Sequence, residues 1–129
     1  MLYAILCYHD EKVVESWTGE EDAAVLAKRE QVTGKLAEQG RLGPAARLTY
    51  TAEAVTVRMG RQPVVTDGPF AETKEQLLGF YVLDCENIDE AVRIAKEIGR
   101  DETVTFEVRP VRLYKPAGEV RQAAKSAAS

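Results

Sequence analysis

The chain has 129 residues, 45% hydrophobic and 29% charged, and its 21 acidic against 17 basic side chains leave a net charge of −4. One core commonly takes about 100–150 residues, so the length fits a single domain, and the composition is globular rather than disordered. The acidic balance speaks against non-specific binding to phosphate backbones, and no apolar run approaches the roughly 18 residues of a membrane helix.

The N-terminus, MLYAILCYHD, has neither a basic region nor a small-residue cleavage site. It reads as a strand over residues 2–8 and predicts a cytoplasmic protein. A polar loop holding Trp17 follows. Thr18-Gly-Glu-Glu21 then matches a capping box, in which a Thr hydroxyl meets the N3 amide and Glu21 reaches back. The helix it opens runs to about Gln39, with Val25, Leu26, Val32 and Leu36 on one face and Gly40 at the stop. Arg29 interrupts that stripe, either as a snorkelling side chain or as the partner of an acid at an interface.

Residues 41–50 are irregular, and Gly43-Pro44 marks any strand there as bulged or at an edge. Residues 54–59 alternate as a half-buried strand and Pro63–Thr66 returns, giving a hairpin. Leu77–Asp84 is a second strongly apolar strand. Asn87-Ile-Asp-Glu90 is another capping box, whose helix puts Ile88, Ala91, Val92, Ala95 and Ile98 on one stripe and stops at Gly99. Residues 103–109 alternate again as the last strand. Residues 1–114 are read as one domain and 115–129 as a flexible tail with no core pattern.

This order predicts an α+β fold, a ferredoxin-like sandwich carrying an inserted β-hairpin. Two helices cover one face of such a sheet. The strands at 2–8 and 77–83 are apolar on both faces, so the second face needs a cover, and the expected cover is a second copy. The predicted assembly is a homodimer with its sheets face to face, a dimeric α/β barrel. The strands at 2–8 and 77–84 are taken as parallel neighbours, which sets Cys85 opposite His9. Cys7 and Cys85 are expected to be buried, reduced thiols.

The turn Asp67-Gly68-Pro69-Phe70 is more rigid than a connection needs. Phe70 is expected to plug the edge of the core. Asp67 then either accepts amides within its own turn or is held at the mouth of a pocket for proton transfer. DGPFAETKEQLLGFYVLD, residues 67–84, resembles the signature of the YCII-related proteins, in the subgroup often called DGPF-domain proteins. LYAILCYHDE resembles that family's first strand and EVRPV, Glu107 to Val111, its last, so the resemblance spans about residues 2–113.

The resemblance implies a ferredoxin-like fold paired into a dimeric α/β barrel. Some YCII-related proteins have been proposed to use a His–Asp pair in a cleft for acid–base chemistry, and a few relatives take part in the breakdown of chlorinated aromatic compounds. On the motif match Asp67 corresponds to that aspartate, and His9, the sole histidine, is the candidate partner. Family members are often joined to, or encoded beside, extracytoplasmic-function sigma factors. Three readings stand: an enzyme in which Asp67 and His9 exchange protons on a small molecule, a ligand-binding or regulatory dimer associated with such a sigma factor, and a purely structural dimer. The sequence has no GxGxxG, P-loop or metal cluster, so no cofactor is expected.

Overall fold

The structure is a computed structural model that describes residues 1–117; residues 118–129, most of the expected tail, lie outside the described part. Strand β1 (Leu2–His9) alternates strictly. Tyr3, Ile5, Cys7 and His9 are buried on one side, while Leu2, Ala4, Leu6 and Tyr8 are half-buried on the other. The expected polar loop contains a short helix, α1 (Glu11–Glu15), because the Asp10 carboxylate accepts from the Lys12 amide at 3.0 Å and caps it.

Helix α2 (Gly19–Glu38) starts at the predicted capping box, complete in both directions: the Glu21 amide donates to Thr18 Oγ1 at 3.0 Å and the Thr18 amide to Glu21 Oε1 at 3.0 Å. Helix α3 (Ile88–Ile98) starts where predicted, with the Asn87 side chain accepting from the Glu90 amide at 2.9 Å. Only half of that box forms. Glu90 turns away to accept from the Glu86 amide at 3.0 Å and from Arg41 at 2.7 Å.

Four strands make one sheet in the order β2 (Leu42–Arg47), β5 (Gln76–Asp84), β1, β6 (Thr105–Pro110), every neighbouring pair antiparallel. A separate hairpin pairs β3 (Val55–Arg58) with β4 (Val64–Asp67). With the hairpin set aside, the element order is β-α-β-β-α-β, a mixed α+β arrangement of ferredoxin-like type. The sheet is open, with β2 and β6 at its edges. No described helix is long and apolar enough to cross a membrane.

The expected parallel pairing of the two apolar strands is corrected. β1 and β5 are neighbours but antiparallel, because β5 enters from the hairpin and returns beside β1. Cys7 therefore lies opposite Gly79, while Cys85 follows Asp84, the partner of Leu2, and donates its amide to the Met1 carbonyl. The two buried thiols stand near opposite ends of β1, roughly 20 Å of strand apart.

The core lies between the sheet and the two long helices: Tyr3 and Ile5 of β1, Leu83 of β5, Leu36 of α2, and Ala91, Ile94 and Ile98 of α3. Ile5, Leu83 and Ile98 are fully enclosed, at 0% exposure. At β2 the predicted irregularity is a register shift between Leu42 and Ala45, across Gly43-Pro44 at the sheet edge. β2 also lies so close to β5 that a Cβ on Gly79 would stand 2.6 Å from the Ala46 carbonyl oxygen, so only glycine fits.

The hairpin differs from the expectation. Phe70 does not plug the core: it is 78% exposed, beyond a turn in which Gly68 takes φ 92° and donates its amide to the Ala54 carbonyl at 2.7 Å. That turn is closed by backbone bonds and by Thr56, whose hydroxyl donates to the Gly68 carbonyl at 2.7 Å. No packing of the aromatic ring is required to hold it.

Candidate functional site

The N-terminal half of α2 does not sink into the core. Val25 is half-buried and Leu26 exposed, although both belong to the predicted apolar stripe, because the helix stands off the sheet there and leaves a cleft. The cleft holds a cavity of about 500 Å³, floored by Cys7 and Gly79 and walled by Trp17, Leu26, Tyr50 and Tyr81. Its volume is in the range of small-molecule sites. Gly79 contributes by having no side chain to fill it.

His9 is at one end. It is 7% exposed, with Nε2 at 2.8 Å from Thr103 Oγ1, Nδ1 at 3.2 Å from the Asp10 carbonyl and its ring edge-on to Trp17 at 6.0 Å. A carbonyl can only accept, so Nδ1 carries a proton, and the Thr103 hydroxyl, which can donate or accept, partners Nε2. The single tryptophan of the chain thus stands against its single histidine at the cleft.

Two ion pairs fix the walls. Asp22, in the first turn of α2, binds Arg47 of β2 in a bidentate fork at 2.6 and 3.1 Å, joining helix to sheet edge. Hydrogen bonding to Arg47 holds the Asp22 carboxyl below its usual value. Deeper in, Glu102 takes Arg29 in a second fork at 2.6 and 3.0 Å and Lys28 at 2.7 Å, tying α2 to the segment before β6. Burial opposes the charge on Glu102, but its bonds to Arg29 and Lys28 outweigh that and lower its pKa. Burial likewise works against the Arg29 charge, and Glu102 and Tyr81 overcome it, leaving a permanent cation. The interruption of the α2 stripe by Arg29 is therefore the signature of an acid partner.

Burial pushes the Cys7 thiol up to about 11, Glu102 adding to the rise against the pull of Arg29. Cys7 is then a neutral thiol near pH 7 and not a thiolate nucleophile. At the rim, Gln76 of β5 accepts the Glu11 amide at 2.9 Å, and Glu11 accepts the Thr51 amide at 3.0 Å, linking α1 to the segment after β2. Among the described residues no group of three or more His, Cys, Asp or Glu is gathered as a metal site.

Of the two sequence-predicted residues, His9 lines the cleft and Asp67 does not. Asp67 ends β4, paired with Val55 in the hairpin, and its exposed carboxylate has no hydrogen-bond partner among the described residues. A single chain does not bring the pair into one site. Sequence reasoning missed Asp22, Arg47, Tyr50 and Tyr81. The Asp22–Arg47 contact joins residues 25 apart and has no local signal.

The YCII-related domain matches residues 1–115 of the chain. An uncharacterized protein of Rhizobium meliloti (strain 1021) is 50% identical over 119 residues, covering 90% of this chain and 96% of that protein.

Proposed function

Because the chain belongs to the YCII-related family, we propose that it is a small-molecule protein whose ligand occupies the cleft between α2 and the sheet. The observation that carries this is the cavity of about 500 Å³ walled by aromatic side chains and braced by two ion pairs. The lining suits a compact organic molecule of mixed character, apolar against Trp17, Leu26 and Tyr50 and polar toward His9 and Arg29. Both imidazole nitrogens already have partners, so ligand binding needs no change at His9, whereas proton transfer requires one nitrogen to exchange its partner.

Trp17 is a built-in reporter, being the one tryptophan and a cleft residue. A fragment library of mixed charge, screened by Trp17 emission, is expected to give saturable changes that disappear in Val25→Phe, which fills the cleft. Emission unchanged by every fragment, or changed equally in a Val25→Phe variant of unaltered melting temperature, overturns the reading.

A second reading, acid–base catalysis by His9 with Asp67, is favoured by the unpartnered carboxylate of Asp67 and by the uncovered apolar surface that carries it. The Asp67–Phe70 turn also supports assignment to the DGPF subgroup. In this reading the chain is a homodimer, paired as an α/β barrel, and Asp67 of one copy serves the cleft of the other. The apolar open face of β1 and β5 and the hairpin supply the interface, on the order of 2,000 Å² in total. The test is complementation with a fragment that binds in the first screen. If His9→Asn and Asp67→Asn each abolish turnover of that fragment, mixing the two variants restores it only when the site is shared between copies. A light-scattering mass equal to the 14.3 kDa chain at micromolar concentration removes this reading and leaves the first standing.

A further inference from the structure

On the side of the helices away from the sheet, α2 and α3 leave a groove of about 330 Å³. Its walls carry Lys28, Lys35, Arg41, Arg93 and Arg100 against a single acid, Glu97. In a chain with net charge −4 this is a local reversal of sign. Some of that charge is answered from outside the groove. Glu90 pairs with Arg41 and Arg93, and Glu102 pairs with Lys28 as well as with Arg29. Lys35 and Arg100 have no ion-pair partner among the described residues, and both are exposed. The floor is apolar, formed by the core side chains Leu36 and Ile94.

The cations do not converge on one point. Lys28 hydrogen-bonds to the Arg100 carbonyl at one end of the groove. Lys35 is two turns further along α2, about 10 Å away along the axis at 1.5 Å per residue. A single phosphate cannot meet both ends. A chain of carboxylates can, and an apolar floor between cationic walls accepts its aliphatic stems. We propose that the α2–α3 groove docks an acidic segment of a partner protein, its carboxylates spread over about 10 Å so that Lys35 and Arg100 are both engaged. This surface is separate from the cleft, which opens between α2 and the sheet.

The experiment uses the full chain and a fluorescein-labelled peptide of alternating Asp and Glu, about eight residues long, followed by anisotropy at low ionic strength, where surface charge is least screened. Saturable binding is expected for the wild type. Reversing both cations in Lys35→Glu/Arg100→Glu is expected to weaken it by about tenfold or more. Arg58→Glu/Arg61→Glu on the hairpin makes the same change in net charge and is expected to bind as the wild type does. If the reversal variant fails to fold, Lys35→Gln/Arg100→Gln takes its place. An absence of saturable binding, an equal loss in the groove and hairpin variants, or displacement of the peptide by inorganic pyrophosphate at concentrations below those of unlabelled peptide would overturn the proposal.

Discussion

Strand β1 of the sandwich body and strand β3 of the hairpin both carry an apolar side chain at every second position, yet they end in opposite environments. In β1 every second side chain from Tyr3 to His9 is buried, Tyr3 and Ile5 in the core under the helices and Cys7 and His9 at the cleft. In the hairpin, Val55, Val57, Val64 and Val65 are all exposed by more than half, and Met59 at the tip is 75% exposed. Alternation therefore reports that a segment is a strand and says nothing about what covers it. The cover in the body is α2 and α3. No described element of the chain covers the hairpin.

The largest expected effect tests that contrast directly. Leu83→Ala removes a side chain with no exposure from the centre of the body and should cost about 3–4 kcal/mol. For a domain of this size that lowers the melting temperature by about 10 °C or more. Val65→Ala, the matching truncation in the hairpin, should change stability by less than about 0.5 kcal/mol in the monomeric chain. Chemical denaturation of both variants at low protein concentration measures the difference. Equal losses would mean that the hairpin is packed within one chain and that the two regions are alike.

Glu102→Gln comes next, at about 2–3 kcal/mol, because it leaves Arg29 and Lys28 without their carboxylate at a site where the acid is only 5% exposed. The pH dependence has a definite sign. The Glu102 pKa is lower in the folded chain than the ordinary 4.5, so its contribution is complete above that value and is lost as pH falls through the folded value. Melting temperatures followed from pH 6 down to about pH 3 should fall more steeply for the wild type than for Glu102→Gln. Parallel curves would show that the buried fork does not brace α2.

Most of the body was legible because its signals are local. Two capping boxes, a Gly43-Pro44 break and two apolar strands fixed the positions of both long helices, the bulged edge and the sheet. Strand direction was not local, and the antiparallel return of β5 was misread. The cleft was legible only in part. His9 at the end of β1 and the interruption at Arg29 were visible. The wall formed by Asp22 with Arg47 depends on α2 meeting the sheet edge, which no spacing in the sequence encodes. Phe70 was misplaced for a related reason: hydrophobicity marks a side chain that seeks cover, and the turn that carries it is held by Thr56 and backbone bonds instead.

A smaller effect sharpens the account of α2. Thr18→Ala removes one half of the complete capping box and should cost about 1 kcal/mol. The same helix end carries Asp22, so the loss should also loosen the fork to Arg47 and be visible as a change in Trp17 emission, one residue before the cap. Asn87→Ala removes the cap of α3, a helix that contributes no residue to the cleft lining, and should lose similar stability with Trp17 emission unchanged. Equal emission changes in the two variants would mean that Trp17 reports general loosening rather than the cleft wall.

The smallest expected effect is the most informative about the hairpin. A buried Phe70 would make Phe70→Ala a loss of about 3 kcal/mol or more. At 78% exposure the ring has little packing to lose, and the monomeric chain should be destabilised by less than about 0.5 kcal/mol. Measured over a range of protein concentrations, the variant separates two situations. If a second copy covers the hairpin, the wild type gains melting temperature with concentration by mass action and Phe70→Ala gains less, so the curves diverge as concentration rises. If the hairpin stays bare, the curves remain together throughout. A loss near 3 kcal/mol that is independent of concentration would place the ring inside its own chain and remove the distinction between arm and body.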